Sequence, residues 1–172
     1  DVERSRGLGD VYKRQAHEHH CTLAIHDREG HDDVLHILDQ EGWPERVIMH
    51  CFSGDAELAR ECVRHGAWLS FPGVLTFNNA ERTRQALHAT PVDKILVETD
   101  APFLTPHPRR GKRNGPYLIA HTIRFLSEQL DWDEASCCEQ LRRNTLAAYG
   151  GPWEDVHGVT PLQLPTSGEE TR

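Results

Sequence analysis

A chain of 172 residues with ordinary charged and apolar fractions is one domain's worth of globular protein, and only extreme classes such as collagen-like or fully disordered chains are excluded. Its apolar runs fall far short of the ~20 residues that span a bilayer, and no charged-then-apolar signal segment leads it, so a cytoplasmic protein without a membrane partner is expected. A formal net charge of −8 argues against a broad basic face for duplex nucleic acid, while leaving room for an enzyme that handles phosphates locally. Five cysteines (Cys21, Cys51, Cys62, Cys137, Cys138) lack C-x-x-C spacing and read as reduced thiols.

Four short apolar runs, "CTLAIH" (21–26), "RVIMHC" (46–51), "GAWLSF" (66–71) and "KILVET" (94–99), are nearly unbroken. That pattern predicts parallel strands covered on both faces. Helical periodicity occupies the intervals at 31–42, 55–66 and, more weakly, 79–90. Alternation at this spacing means βα units. Two longer helices follow, over 117–130 behind Pro116 and over 133–150, capped by Asp131 or Asp133 and stopped at Gly150. Residues 151–172 carry Pro, Gly and Ser without periodicity, and a disordered tail is expected there.

The strand ends carry the chemistry. His26 closes the first strand, His50 the second, and Glu98 and Asp100 the fourth. The C-terminal ends of parallel strands share one edge, where α/β folds build their sites. Carboxylates beside apolar packing are costly unless a cation or hydrogen bonds meet them. Imidazole and carboxylate together suit zinc, manganese or magnesium. His17, His19 and His20 read as a solvated helix end, and His31, His36, His65, His88 and His121 as helix-surface residues; His107 stays open. The run "PHPRRGKRNGPY" places Arg109, Arg110, Lys112 and Arg113 within five positions. It reads either as a solvated loop or as a local phosphate contact.

"LAIHDR", "VIMHCFSG", the Gly73 turn followed by "TF", "ILVETDAPFLTP", "RGKRN" and Asn144 resemble, in order and spacing, the TatD family of metal-dependent deoxyribonucleases over about residues 16–150. The resemblance implies a (β/α)8 barrel of the amidohydrolase-like kind with two divalent ions, Mg, Mn or Zn. It assigns His26 and His50 to one metal, and to Asp100 both the other metal and the nucleophilic water. Arg28, Ser53, Glu98, Arg110, Lys112 and Asn114 match motif positions around the pocket. Gly115 departs from the family's usual Glu.

A barrel of this kind needs about 250 residues, so these four strands are expected to be the C-terminal half, with the N-terminal half and its further ligands missing. Residues 1–15 lack an initiating Met and resemble translated adapter sequence, and a non-native leader is expected there. The implied activity is hydrolysis of phosphodiester bonds in single-stranded DNA or related nucleic acid, from an end. In this truncated chain it is expected to be lost. Two alternatives share the sequence: an ester or amide hydrolase on the same scaffold, such as a misacylated-tRNA deacylase, and a non-catalytic fragment or assembly module. The outer strands of a half barrel also invite edge-to-edge self-association.

Overall fold

The structure is a computed structural model that describes residues 14–150. The expectations for most of the leader and for the tail at 151–172 lie outside the described residues. The strands are β1 (Leu23–His26), β2 (Val47–His50), β3 (Trp68–Phe71) and β4 (Ile95–Val97), all parallel in the order β1-β2-β3-β4. The helices are α1 (His31–Glu41), α2 (Ala56–Arg64), α3 (Glu81–Ala89), α4 (Ile119–Gln129) and α5 (Glu134–Tyr149). Every predicted strand and helix is present, trimmed by one to three residues at its ends. The "AHEHH" stretch is a helix end as expected, with a helical turn at 14–18. None of the helices among the described residues is long and apolar enough to cross a membrane.

Side chains alternate across a strand, and the registers Ile25↔Met49, Met49↔Leu69 and Leu69↔Ile95 line up one face of the sheet. That face carries the main core: Val47, Met49, Leu69, Phe71 and Ile95 pack with Ala59 and Cys62 of α2, Ala86 and Leu87 of α3, Leu126 of α4 and Leu141 of α5. The opposite face holds a smaller cluster of Ile48, Trp68, Leu96 and Ala148. In β1 the expectation of cover on both faces fails. Leu23 and Ile25 are half-buried, whereas Ala24 and His26 are exposed. As the first strand in the order, β1 has a partner on one side only among the described residues.

Local signals explain the helix ends. Asp55 caps α2, its Oδ1 accepting from the N–H groups of Glu57 and Leu58 at 3.0 Å, and Asp133 caps α5 through the Ser136 N–H at 3.0 Å. Gly150 closes α5 in the left-handed region, where a glycine carries no Cβ penalty. Asn144, buried in α5, donates from Nδ2 to the carbonyls of Val92 and Ile95, both at 2.7 Å, and so ties the last helix to the start of β4. Replacement by Ala leaves two carbonyls without donors. Asn144→Ala is expected to lower stability by about 2–4 kcal/mol, read as a fall in the urea midpoint at unchanged m-value.

Candidate active site

His26 and His50 are register partners, and their ring centroids lie 5.7 Å apart. Both belong to the face opposite the main core, as do Ser70 and Leu96 by register. Glu98 follows β4 by one residue, and its N–H reaches Phe71 O at 3.3 Å. β2 and β4 are separated by β3, a gap of about 9–10 Å from strand spacing. The Glu98 side chain nevertheless spans the gap to His50.

Glu98 Oε2 accepts from His50 Nδ1 at 2.8 Å and from the Cys51 N–H at 3.2 Å. This pairing assigns the imidazole proton to Nδ1 and leaves Nε2 as a lone-pair donor directed into the site. Asp100 Oδ1 stands 3.7 Å from that Nε2. Cys51 and Asp100 both adopt left-handed backbone, at φ 51° and 53°. For residues with a Cβ this conformation costs roughly 1–2 kcal/mol, and here it turns the chain sharply at both strand ends. Non-glycine residues in such conformations cluster at functional sites.

His50, Glu98 and Asp100 offer one nitrogen and two oxygen donors, all within 4.8 Å of one another. Glu98 Oε1 is buried without a hydrogen-bond partner, the condition a carboxylate oxygen tolerates only when a cation or donor meets it. The donor set and this orphaned oxygen fit a divalent ion of the Zn, Mn or Mg type. Direct ligation suits His50 Nε2, Asp100 and the unpartnered Glu98 Oε1, while Glu98 Oε2 orients the imidazole. Cys51 is not part of that group; burial first, then the charges of Glu98 and Asp100, push its thiol up to about 11 against a smaller opposing pull from Arg28.

His26 is exposed and stays outside the 4.8 Å group of His50, Glu98 and Asp100. Arg28 is exposed near Cys51. Ser53 is exposed, and its hydroxyl donates to Asp27 O at 3.3 Å. Lys112 is exposed, whereas Arg110 lies over the Phe77 ring at 3.7 Å and donates to Thr105 O at 3.4 Å, so its guanidinium is engaged within the loop. Asn114 is 6% exposed. Its Nδ2 donates to Thr99 O at 2.7 Å and Phe103 O at 2.6 Å, and its Oδ1 accepts from Gly115 N–H at 2.9 Å. With both amide hydrogens used, Asn114 clamps the loop after β4 and has none left for a substrate. His107 packs edge-on against Phe77 and lies in that loop.

One participant was missed. His31, grouped with the helix-surface histidines, pairs through Nδ1 with the buried carboxylate of Asp27, which also accepts from Gly30 N–H at 3.0 Å. Asp27 and His31 line a small cavity together with His50, Phe52 and Ser53. The signal was the Asp–His spacing of four at the start of a helix, immediately after a strand-end histidine.

A parallel sheet with histidine and carboxylates gathered at the C-terminal ends of its strands defines an α/β protein with a candidate metal centre. The chain belongs to the TatD family: the family model described as TatD related DNase matches residues 11–150. It is 45% identical over 131 residues to a protein of Mycobacterium tuberculosis named uncharacterized metal-dependent hydrolase TatD, covering 76% of this chain and 50% of that one. With YabD of Bacillus subtilis, also named an uncharacterized metal-dependent hydrolase, it shares 44% identity over 124 residues, covering 69% and 48%. The crystal structure of YJJV, a TatD homolog from Escherichia coli K12, superposes with a TM-score of 0.80 at 27% identity, covering 87% of this chain and 58% of that one. A TatD family hydrolase of Entamoeba histolytica shares the fold at a TM-score of 0.72 and 15% identity, covering 84% and 55%. The chain spans about half the length of the curated relatives it matches.

Proposed function

We propose that these residues are the C-terminal half of a (β/α)8 barrel whose complete form is a cytoplasmic, metal-dependent deoxyribonuclease, hydrolysing phosphodiester bonds of single-stranded DNA or related nucleic acid. The observation that carries the reading is the His50 ring, held at Nδ1 by Glu98 with Asp100 across from Nε2. Divalent ions at such a centre supply Lewis-acid polarisation of a phosphate oxygen and acidify water. Glu98 fixes the tautomer and angle of the imidazole. Asp100, turned inward by its left-handed backbone, holds the attacking water and takes its proton. His26, one strand over, stands ready as a further ligand.

Lys112 and the exposed Arg109 and Arg113 extend from the loop behind Asp100 and suit phosphates flanking the scissile bond, contacts that carry little sequence information. Lys112→Ala is expected to weaken single-strand binding and to flatten its log-log salt dependence by about one unit, with metal binding unchanged. An unchanged slope means that the loop is merely solvated.

The described residues supply too few ligands for two-metal chemistry, so the 172-residue chain alone is expected to be inactive and to self-associate along β1 or β4. A panel of single-stranded DNA, an aminoacyl-tRNA ester and a simple lactone, offered to a chain carrying all eight strands with Mg, Mn or Zn, tests the reading. Metal-dependent cleavage of the DNA supports it. Turnover confined to the esters contradicts it.

A further inference from the structure

Two aromatic rings stand out in solvent on the segment that follows Asp100: Phe103 is 70% exposed and Tyr117 77%. Neither is a loose surface residue. The Phe103 N–H donates to Asp100 O at 2.9 Å, so its ring leaves a tight turn that begins at a proposed metal ligand. The buried Asn114 amide holds the Phe103 carbonyl at 2.6 Å, and the Asn114 N–H donates to Pro102 O at 3.1 Å. Tyr117 follows two residues after Gly115, whose N–H donates to Asn114 Oδ1 at 2.9 Å. A Cβ at position 115 would stand 2.5 Å from Tyr117 Cε1, so the glycine is what allows this ring to lie against the backbone.

The loop between the two rings carries the exposed Arg109, Lys112 and Arg113, and it is stapled from within by Thr105 Oγ1 donating to Lys112 O at 2.6 Å. Exposed aromatic rings on a hydrogen-bonded loop with cations between them, on a chain whose net charge is −8, suit a ligand that alternates flat apolar faces with negative charge. Unpaired nucleotides have that chemistry. We infer that Phe103 and Tyr117 form a stacking platform that receives the unpaired bases next to the scissile phosphate, while Lys112 and its neighbours take the phosphates. The inference rests on the nuclease reading and deepens it: the platform favours strands with exposed bases and is indifferent to their sequence, because every base has a π face.

The test measures fluorescence anisotropy of the 172-residue chain with two labelled strands of about fifteen nucleotides, oligothymidylate and an abasic strand with the same phosphates. The expected result is at least about tenfold tighter binding of oligothymidylate. Phe103→Leu and Tyr117→Leu keep apolar bulk and remove the π face; each is expected to cost roughly five- to tenfold on oligothymidylate and nothing on the abasic strand. Both sites are exposed, so unchanged thermal unfolding of each variant verifies the fold. Equal binding of the two strands by the parent chain overturns the platform and leaves the nucleic-acid reading standing. Binding of neither strand overturns both. Leucine variants that change the sedimentation coefficient without changing the strand preference show that the rings cover a second copy of the chain, and also overturn it.

Discussion

Asp100→Asn, placed in a chain with the complete barrel, is expected to lower metal-dependent turnover by at least about a hundredfold, the lower end of what a positioned general base contributes. The substitution keeps the shape of the side chain and its turn while removing the charge that faces His50 Nε2 at 3.7 Å. The fold should survive, since the Phe103 N–H bond that closes the turn uses the backbone carbonyl of residue 100. Steady-state kinetics beside a thermal unfolding curve check both points. Retention of more than about a hundredth of the activity contradicts the assigned role. His88→Gln is the matched control: His88 is exposed on α3, away from the strand ends, and its loss should leave turnover unchanged.

The second large effect is expected at Glu98. Glu98→Gln retains an acceptor for the Cys51 N–H and His50 Nδ1 but removes the negative charge that strengthens the imidazole as a ligand. Partners of this kind typically contribute 10–100-fold in metal affinity, and a loss in that range is expected. Glu98→Ala goes further, leaving the Cys51 N–H and the His50 ring without their acceptor, so a stability loss of about 1–3 kcal/mol should accompany the affinity loss. Isothermal titration with zinc and urea unfolding separate the two. Equal metal affinity in the parent and Glu98→Gln contradicts an orienting role.

The sheet was legible because its strands are short apolar runs at regular spacing, and β2, β3 and β4 meet that description with buried residues on both faces. β1 has the same composition but packs differently: Ala24 and His26 lie on the exposed face of a strand partnered on one side. Strand cover is a property of neighbours, which composition does not encode. The convergence of His50, Glu98 and Asp100 on one edge followed from parallel topology alone. That Glu98 reaches across to His50 did not, because it depends on strand register and on side-chain reach between non-adjacent strands. Asn114 was visible as a motif position but not as a clamp, since its partners are the carbonyls of Thr99 and Phe103, 15 and 11 residues away. The left-handed turn at Cys51 had no local signal, because its side chain does not favour that region, whereas Asp100 is of a type that tolerates it. The pairing of Arg110 with Phe77 joins residues far apart in sequence and escaped for the same reason as the Asn114 clamp.

His50, Glu98 and Asp100 are proposed as a cation centre. Calorimetric titration of the 172-residue chain with manganese or zinc, repeated on His50→Ala and Asp100→Ala, tests it most directly. One weakly held ion per chain, lost in both variants, is the predicted result. An ion whose affinity is the same in both variants, or two ions held at micromolar or tighter affinity by a monomer, would contradict it.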